Sequence, residues 1–98
     1  MSKDTQGETK AAHAFVHGRV QGIGFRYWTV SVARTYNVRG WVKNCPDSSV
    51  EIHAEADTGE ALAAFWEAVT TQHPRAYVSD CTISRAQYEG YSSFEVRY

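Results

Sequence analysis

The sequence predicts an α+β domain in which two helices pack on one face of a sheet. Three observations lead there. Apolar residues recur at helical spacing in two separate stretches, and strand-like stretches flank both. The order along the 98 residues is strand, helix, strand, strand, helix, strand. That order is the split βαβ or ferredoxin-like plan, a βαββαβ sandwich built on an antiparallel sheet. A chain of 98 residues forms one domain, and 43% apolar with 13% aromatic content supports a core rather than disorder.

The elements follow in order. Met1–Lys10 is polar, so residues 1–11 are expected to be a flexible leader before a domain over residues 12–98. Ala12–Val20 alternates weakly, is interrupted by Gly18, and predicts the first strand; Gly22 and Gly24 then open a turn. Phe25, Trp28, Thr29, Val32, Ala33 and Tyr36 recur on one helical face, and Asn37 supplies a left-handed stop. Arg39–Asn44 predicts a strand through Trp41 and Val42, and Pro46 and Asp47 fix the turn after it.

Val50, Ile52, Ala54 and Ala56 alternate with Glu51, His53 and Glu55, which predicts a half-buried strand with one wet face. Asp57 followed by Glu60 resembles a capping box with Asp57 as the cap. Leu62, Phe65, Trp66 and Val69 form the stripe of a second helix that ends before His73-Pro74. Tyr77–Arg85 predicts a fourth strand, and Ser93–Tyr98 a short last one after the Glu89-Gly90 turn. Phe25, Trp28, Phe65 and Trp66 are expected in the core.

Composition excludes several functions. Ten Lys+Arg against eleven Asp+Glu, a formal charge of −1, lack the basic excess that phosphate-backbone binding requires. An RNA-recognition module would need exposed aromatics in the third strand, which offers Val50-Glu51-Ile52-His53 instead. No apolar run approaches the roughly 20 residues of a membrane helix. Neither nucleic acid nor membrane is therefore an expected partner, and a cytoplasmic monomer is the default. Cys45 and Cys81 are too few for a disulfide framework and lack metal spacing; Cys81 is expected in the core and Cys45 near the surface. His13, His17, His53 and His73 complete no ligand set and are expected to be exposed, so no metal is assigned.

The informative segment is Gly18-Arg19-Val20-Gln21-Gly22-Ile23-Gly24-Phe25-Arg26. Its glycines free the backbone to curl, so that successive N–H groups point into one concavity that suits an anion. The helix that follows adds unpaired amides and its positive dipole end. Arg26 lies in that first turn, where a cation opposes the dipole by roughly 0.3–1 kcal/mol. An anion seated between the amides and a bidentate guanidinium explains the misfit. A solvated surface arginine is, on composition alone, an equal alternative. Neither a Walker loop nor a dinucleotide fingerprint fits the spacing.

Gly18–Arg26, together with Gly40-Trp41-Val42-Lys43-Asn44 and the Asp47…Val50 turn, resembles the acylphosphatase family. The resemblance runs through nearly all of Ala12–Tyr98. It implies hydrolysis of the carboxylic–phosphoric anhydride of a small acyl phosphate, giving a carboxylate and inorganic phosphate. It further implies that Arg19, Val20, Gln21, Gly22, Ile23 and Gly24 hold the phosphoryl group, that Arg26 is the catalytic arginine and that Asn44 positions the attacking water.

Elementary chemistry agrees with those roles. The carboxylate is already a good leaving group, so no general acid is required. Asn44 cannot take a proton and can only orient water. Amides and Arg26 can neutralise the phosphoryl charge, so neither metal nor cofactor is expected. Taken alone, Asn44 reads equally as a turn former. Ser48, Asn37 and His73 depart from the family by replacing common glycines, which bears on local loop geometry rather than on the reaction.

Overall fold

The computed structural model describes residues 10–98. The chain forms β1 (Ala11–Arg19), α1 (Phe25–Thr35), β2 (Arg39–Asn44), β3 (Val50–Glu55), α2 (Gly59–Thr71), β4 (Tyr77–Arg85) and β5 (Phe94–Arg97). The expected leader lies almost wholly outside the described residues, but Ala11 is not part of it. Ala11 already pairs with Glu55 and is buried.

The five strands are ordered β4-β1-β3-β2-β5. β1 pairs antiparallel with β3 and β4, and β2 antiparallel with β3. The short last strand adds to the edge beside β2 and runs parallel to it, so the sheet is antiparallel with one parallel seam. The ferredoxin-like plan read from the element order is thus the observed one, extended by β5.

Alternation explains which face is covered. Ala12, Ala14 and Val16 of β1, Val42 of β2, and Val50, Ile52 and Ala54 of β3 are buried. They meet Phe25, Val30 and Ala33 of α1 and Leu62, Phe65 and Val69 of α2 in one core. Burying each large side chain there stabilises the fold by roughly 1.5–3 kcal/mol. Thr29 also faces the core, and its hydroxyl is satisfied by the Phe25 carbonyl at 2.8 Å. Trp66 is buried as expected, whereas Trp28 packs at the core's margin and stays partly exposed. Cys81 likewise packs against the core, and both cysteines are free thiols.

Two expectations need correction. The cap of α2 is Thr58, not Asp57: the Thr58 hydroxyl accepts from the Ala61 N–H at 3.1 Å. Asp57 turns aside instead and pairs with Arg39 at 3.1 Å. The outer face of β3 is also not wet throughout. His53 and Glu55 are buried, so His53 is not an exposed strand histidine. The segment between β4 and β5 folds over this face. Glu55 accepts hydrogen bonds there from the backbone N–H groups of Glu89, Gly90 and Tyr91, and it is joined to His53 Nε2 at 2.8 Å. Burial pushes the Glu55 carboxyl up, but His53 and the three amides outweigh it and leave the group below the usual glutamate range.

Candidate active site

Val20–Gly24 connects β1 to α1 and turns through left-handed backbone at Gly22 (φ 80°) and Gly24 (φ 74°). Side chains rarely adopt those angles, which is why glycine stands at both. Gly18 does something else. It belongs to β1, where the β1–β4 register shifts, and a Cβ there would sit 2.0 Å from the Tyr77 carbonyl oxygen. It permits the strands to approach rather than shaping the loop.

Gly24 caps α1 without any side-chain bond, and no acidic residue stands in the first turn. Trp28 donates the first intrahelical bond, to the Gly24 carbonyl at 3.0 Å. The amides of Phe25, Arg26 and Tyr27 precede that bond and have no carbonyl within the helix to meet. Their positive dipole end therefore faces the loop uncompensated.

The loop is fastened to the β2–β3 hairpin by one side chain. Gln21 Nε2 donates to the carbonyls of Cys45 at 3.0 Å and Ser49 at 2.8 Å. The hairpin itself is closed by Cys45 N–H to Ser49 O at 2.9 Å and Ser48 N–H to Cys45 O at 3.1 Å. Asp47 Oδ1 accepts from both the Ser49 hydroxyl and its N–H, which hold the Asp47 carboxyl below its ordinary range. Ser48 adopts φ 78° and Asn37 φ 59°, so both non-glycine replacements are held in the left-handed region.

These links bring Asn44, the last residue of β2, beside the loop. A cleft of about 150 Å³ is lined by Arg26 and Asn44 together with Val20, Gln21, Gly22 and Gly24. Asn44 Oδ1 is shut off from bulk solvent and has no hydrogen-bonding partner among the described residues. A buried acceptor left unpaired costs about 1–3 kcal/mol, and native structures keep few of them. Arg26 forms no ion pair among the described residues; its guanidinium lies 4.9 Å from the Tyr98 ring and 5.9 Å from the Tyr27 ring.

Six of the eight sequence-predicted residues thus meet at one cleft, and two do not. Arg19 ends β1 opposite Tyr77 with its side chain exposed, and the Ile23 side chain packs against the core. The fastening role of Gln21 and the packing of Tyr27 and Tyr98 on Arg26 were missed. The Gln21 bonds and the approach of Tyr98 are long-range contacts that no local pattern announces, and Tyr27, though adjacent to Arg26, takes part through its bond to Tyr98. Among the described residues no cluster of three or more His, Cys, Asp or Glu could hold a metal ion, and no helix is long and apolar enough to cross a membrane.

Fold and site together define a ferredoxin-like α+β domain that carries a glycine-bordered cleft lined by Arg26 and Asn44 beside the β1–α1 loop. Residues 12–96 match the family model described as acylphosphatase. The chain is 46% identical over 96 residues to an acylphosphatase of Treponema denticola, covering 98% of both chains. It is 44% identical over 90 residues to an acylphosphatase of Archaeoglobus fulgidus, covering 90% of this chain and 98% of that one. The crystal structure of acylphosphatase from Bacillus subtilis superposes with a TM-score of 0.85 at 39% identity, over 90% of this chain and 98% of that one. The chain belongs to the acylphosphatase family of hydrolytic enzymes.

Proposed function

We propose that this chain hydrolyses the carboxyl–phosphate anhydride of small acyl phosphates, with Arg26 and the loop amides holding the phosphoryl group and Asn44 steering the water. The observation that carries the reading is the convergence of Arg26 and Asn44 on one cleft with Val20, Gln21, Gly22 and Gly24. Those residues come from the β1–α1 loop, the first turn of α1 and the end of β2, which only the folded chain brings together.

The phosphoryl oxygens sit among N–H groups of the loop and of the first turn of α1, and the Arg26 fork takes two of them. Asn44 Oδ1 accepts one O–H of a water and aims its oxygen at phosphorus, in line with the carboxyl leaving group. The water oxygen bonds to phosphorus as the phosphorus–acyl oxygen bond breaks. The electron pair leaves on the carboxylate, and the water proton passes to a phosphoryl oxygen. Charge spread over the equatorial oxygens is met by dipoles already in place, so little reorganisation is needed. Neither a metal nor a cofactor has a part in these steps.

The test is a direct assay of acetyl phosphate hydrolysis by wild type, Arg26→Ala and Arg26→Lys. Wild type should turn over. Both variants should fold and lose about 10³-fold or more in kcat/KM, because a point charge does not replace the fork. Variants as active as wild type would remove Arg26 from the chemistry.

A further inference from the structure

We infer that Tyr98 and Tyr27 act as a linked pair of positioning residues that aim the Arg26 guanidinium into the cleft while leaving all of its N–H donors free. The inference rests on the function proposed for Arg26.

A catalytic arginine must be held still, and a carboxylate partner is the common way to hold one. Such a partner would occupy the same fork that the phosphoryl group needs and would neutralise part of the charge. Arg26 has no carboxylate partner among the described residues. It is flanked instead by two aromatic rings, Tyr98 at 4.9 Å and Tyr27 at 5.9 Å from the guanidinium carbon. A ring face attracts the cation without accepting any of its in-plane N–H bonds. The edge of the guanidinium therefore stays available to an oxyanion.

The rings are themselves tied together. The hydroxyls of Tyr27 and Tyr98 share a hydrogen bond of 2.6 Å, which connects α1 to the end of the chain beyond β5. Tyr27 sits next to Arg26 in the first turn and is among the residues lining the cleft. Tyr98 follows β5 directly, and β5 is anchored by Phe94 in the core and by its parallel pairing with β2. The pair thus ties the aim of Arg26 to the strand that carries Asn44 at its end.

The experiment measures kcat and KM for acetyl phosphate, and inhibition by inorganic phosphate, in wild type, Tyr98→Phe, Tyr98→Ala and Tyr27→Phe, with Arg26→Ala and the Arg26→Ala/Tyr98→Ala double variant alongside. Circular dichroism checks the fold of each. Tyr98→Ala should weaken phosphate inhibition and kcat/KM by about 3–10-fold, the scale of an exposed cation–π contact plus one hydrogen bond. Tyr98→Phe and Tyr27→Phe keep the rings and should each lose about 2-fold. In the Arg26→Ala background, Tyr98→Ala should change nothing further, because the pair acts only through Arg26. Tyr98→Ala at wild-type values, or an equal loss in the Arg26→Ala background, overturns the positioning role. Wild-type activity in Arg26→Ala overturns the parent function instead, so the two failures are told apart.

Discussion

Gln21 and Ser49 stand 28 residues apart in sequence and are joined by a 2.8 Å hydrogen bond from the Gln21 side-chain amide to the Ser49 carbonyl. With its companion bond to Cys45, it sets the distance between the loop that would hold phosphate and the hairpin that carries Asn44. Removing the Gln21 side chain should separate the two halves of the site while leaving the loop backbone, Arg26 and Asn44 in place.

Gln21→Ala should therefore lower stability by about 1–3 kcal/mol, since two hydrogen bonds worth about 0.5–1.5 kcal/mol each are lost while both carbonyls keep their donors within the hairpin. It should also lower kcat/KM about tenfold, because small misplacements of a reacting group are expensive in rate. Thermal melts and acetyl phosphate kinetics read the two effects. A stability loss with unchanged kcat/KM would mean that the hairpin is placed by other contacts.

Asn44→Ala should depress kcat by about 10–100-fold while inhibition by inorganic phosphate stays within about threefold of wild type. A residue that steers water acts on turnover, whereas one that grips the phosphoryl group acts on affinity. Steady-state kinetics with a phosphate inhibition series separates the cases. The reverse pattern would make Asn44 a binding residue.

Glu55→Gln should cost about 3 kcal/mol near neutral pH, because the buried carboxylate satisfies three backbone N–H groups and His53. The sign of the pH effect follows from the lowered Glu55 carboxyl. A group whose folded pKa lies below its unfolded value stabilises fully above the unfolded value, about 4.3, and its contribution fades as pH falls through the folded one. Melting temperature should thus drop more steeply for wild type than for the variant as pH falls below about 5. Parallel pH profiles would contradict a charged Glu55 in the folded chain.

Ser48→Gly should stabilise the chain by about 0.5–1 kcal/mol, or about 2–8 °C in Tm for a domain this small. Ser48 is held at φ 78°, where a side chain is strained and glycine is not. Turnover should stay within about twofold, as Ser48 lies outside the cleft lining. An unchanged or lower Tm would show that the Ser48 side chain compensates its own strain.

What was legible in the sequence was whatever rests on local periodicity or local misfit. The α1 stripe from Phe25 to Tyr36 and the alternation from Val50 to Ala56 fixed two elements, because burial of one face repeats at a set interval. Arg26 stood out because it opposes the helix dipole beside it. The errors came where a choice between neighbours or a distant segment decides. Asp57 and Thr58 are both good caps, and only the path of the chain selects the hydroxyl of Thr58. His53 and Glu55 alternate as solvent-facing residues do, yet Glu89–Tyr91, more than thirty residues later, covers them. Gln21, Tyr98 and the bond between Tyr27 and Tyr98 were opaque for the same reason. Gly18 looked like part of the loop until its contact with Tyr77 placed it in the sheet.

The central claim, that peptide N–H groups and one guanidinium together enclose a tetrahedral oxyanion, is tested most directly by titrating inorganic phosphate into ¹⁵N-labelled protein. The account predicts saturable shifts concentrated in the amides of residues 20–27, and their loss in Arg26→Ala. Amides there that stay unmoved while the fold is intact would contradict it.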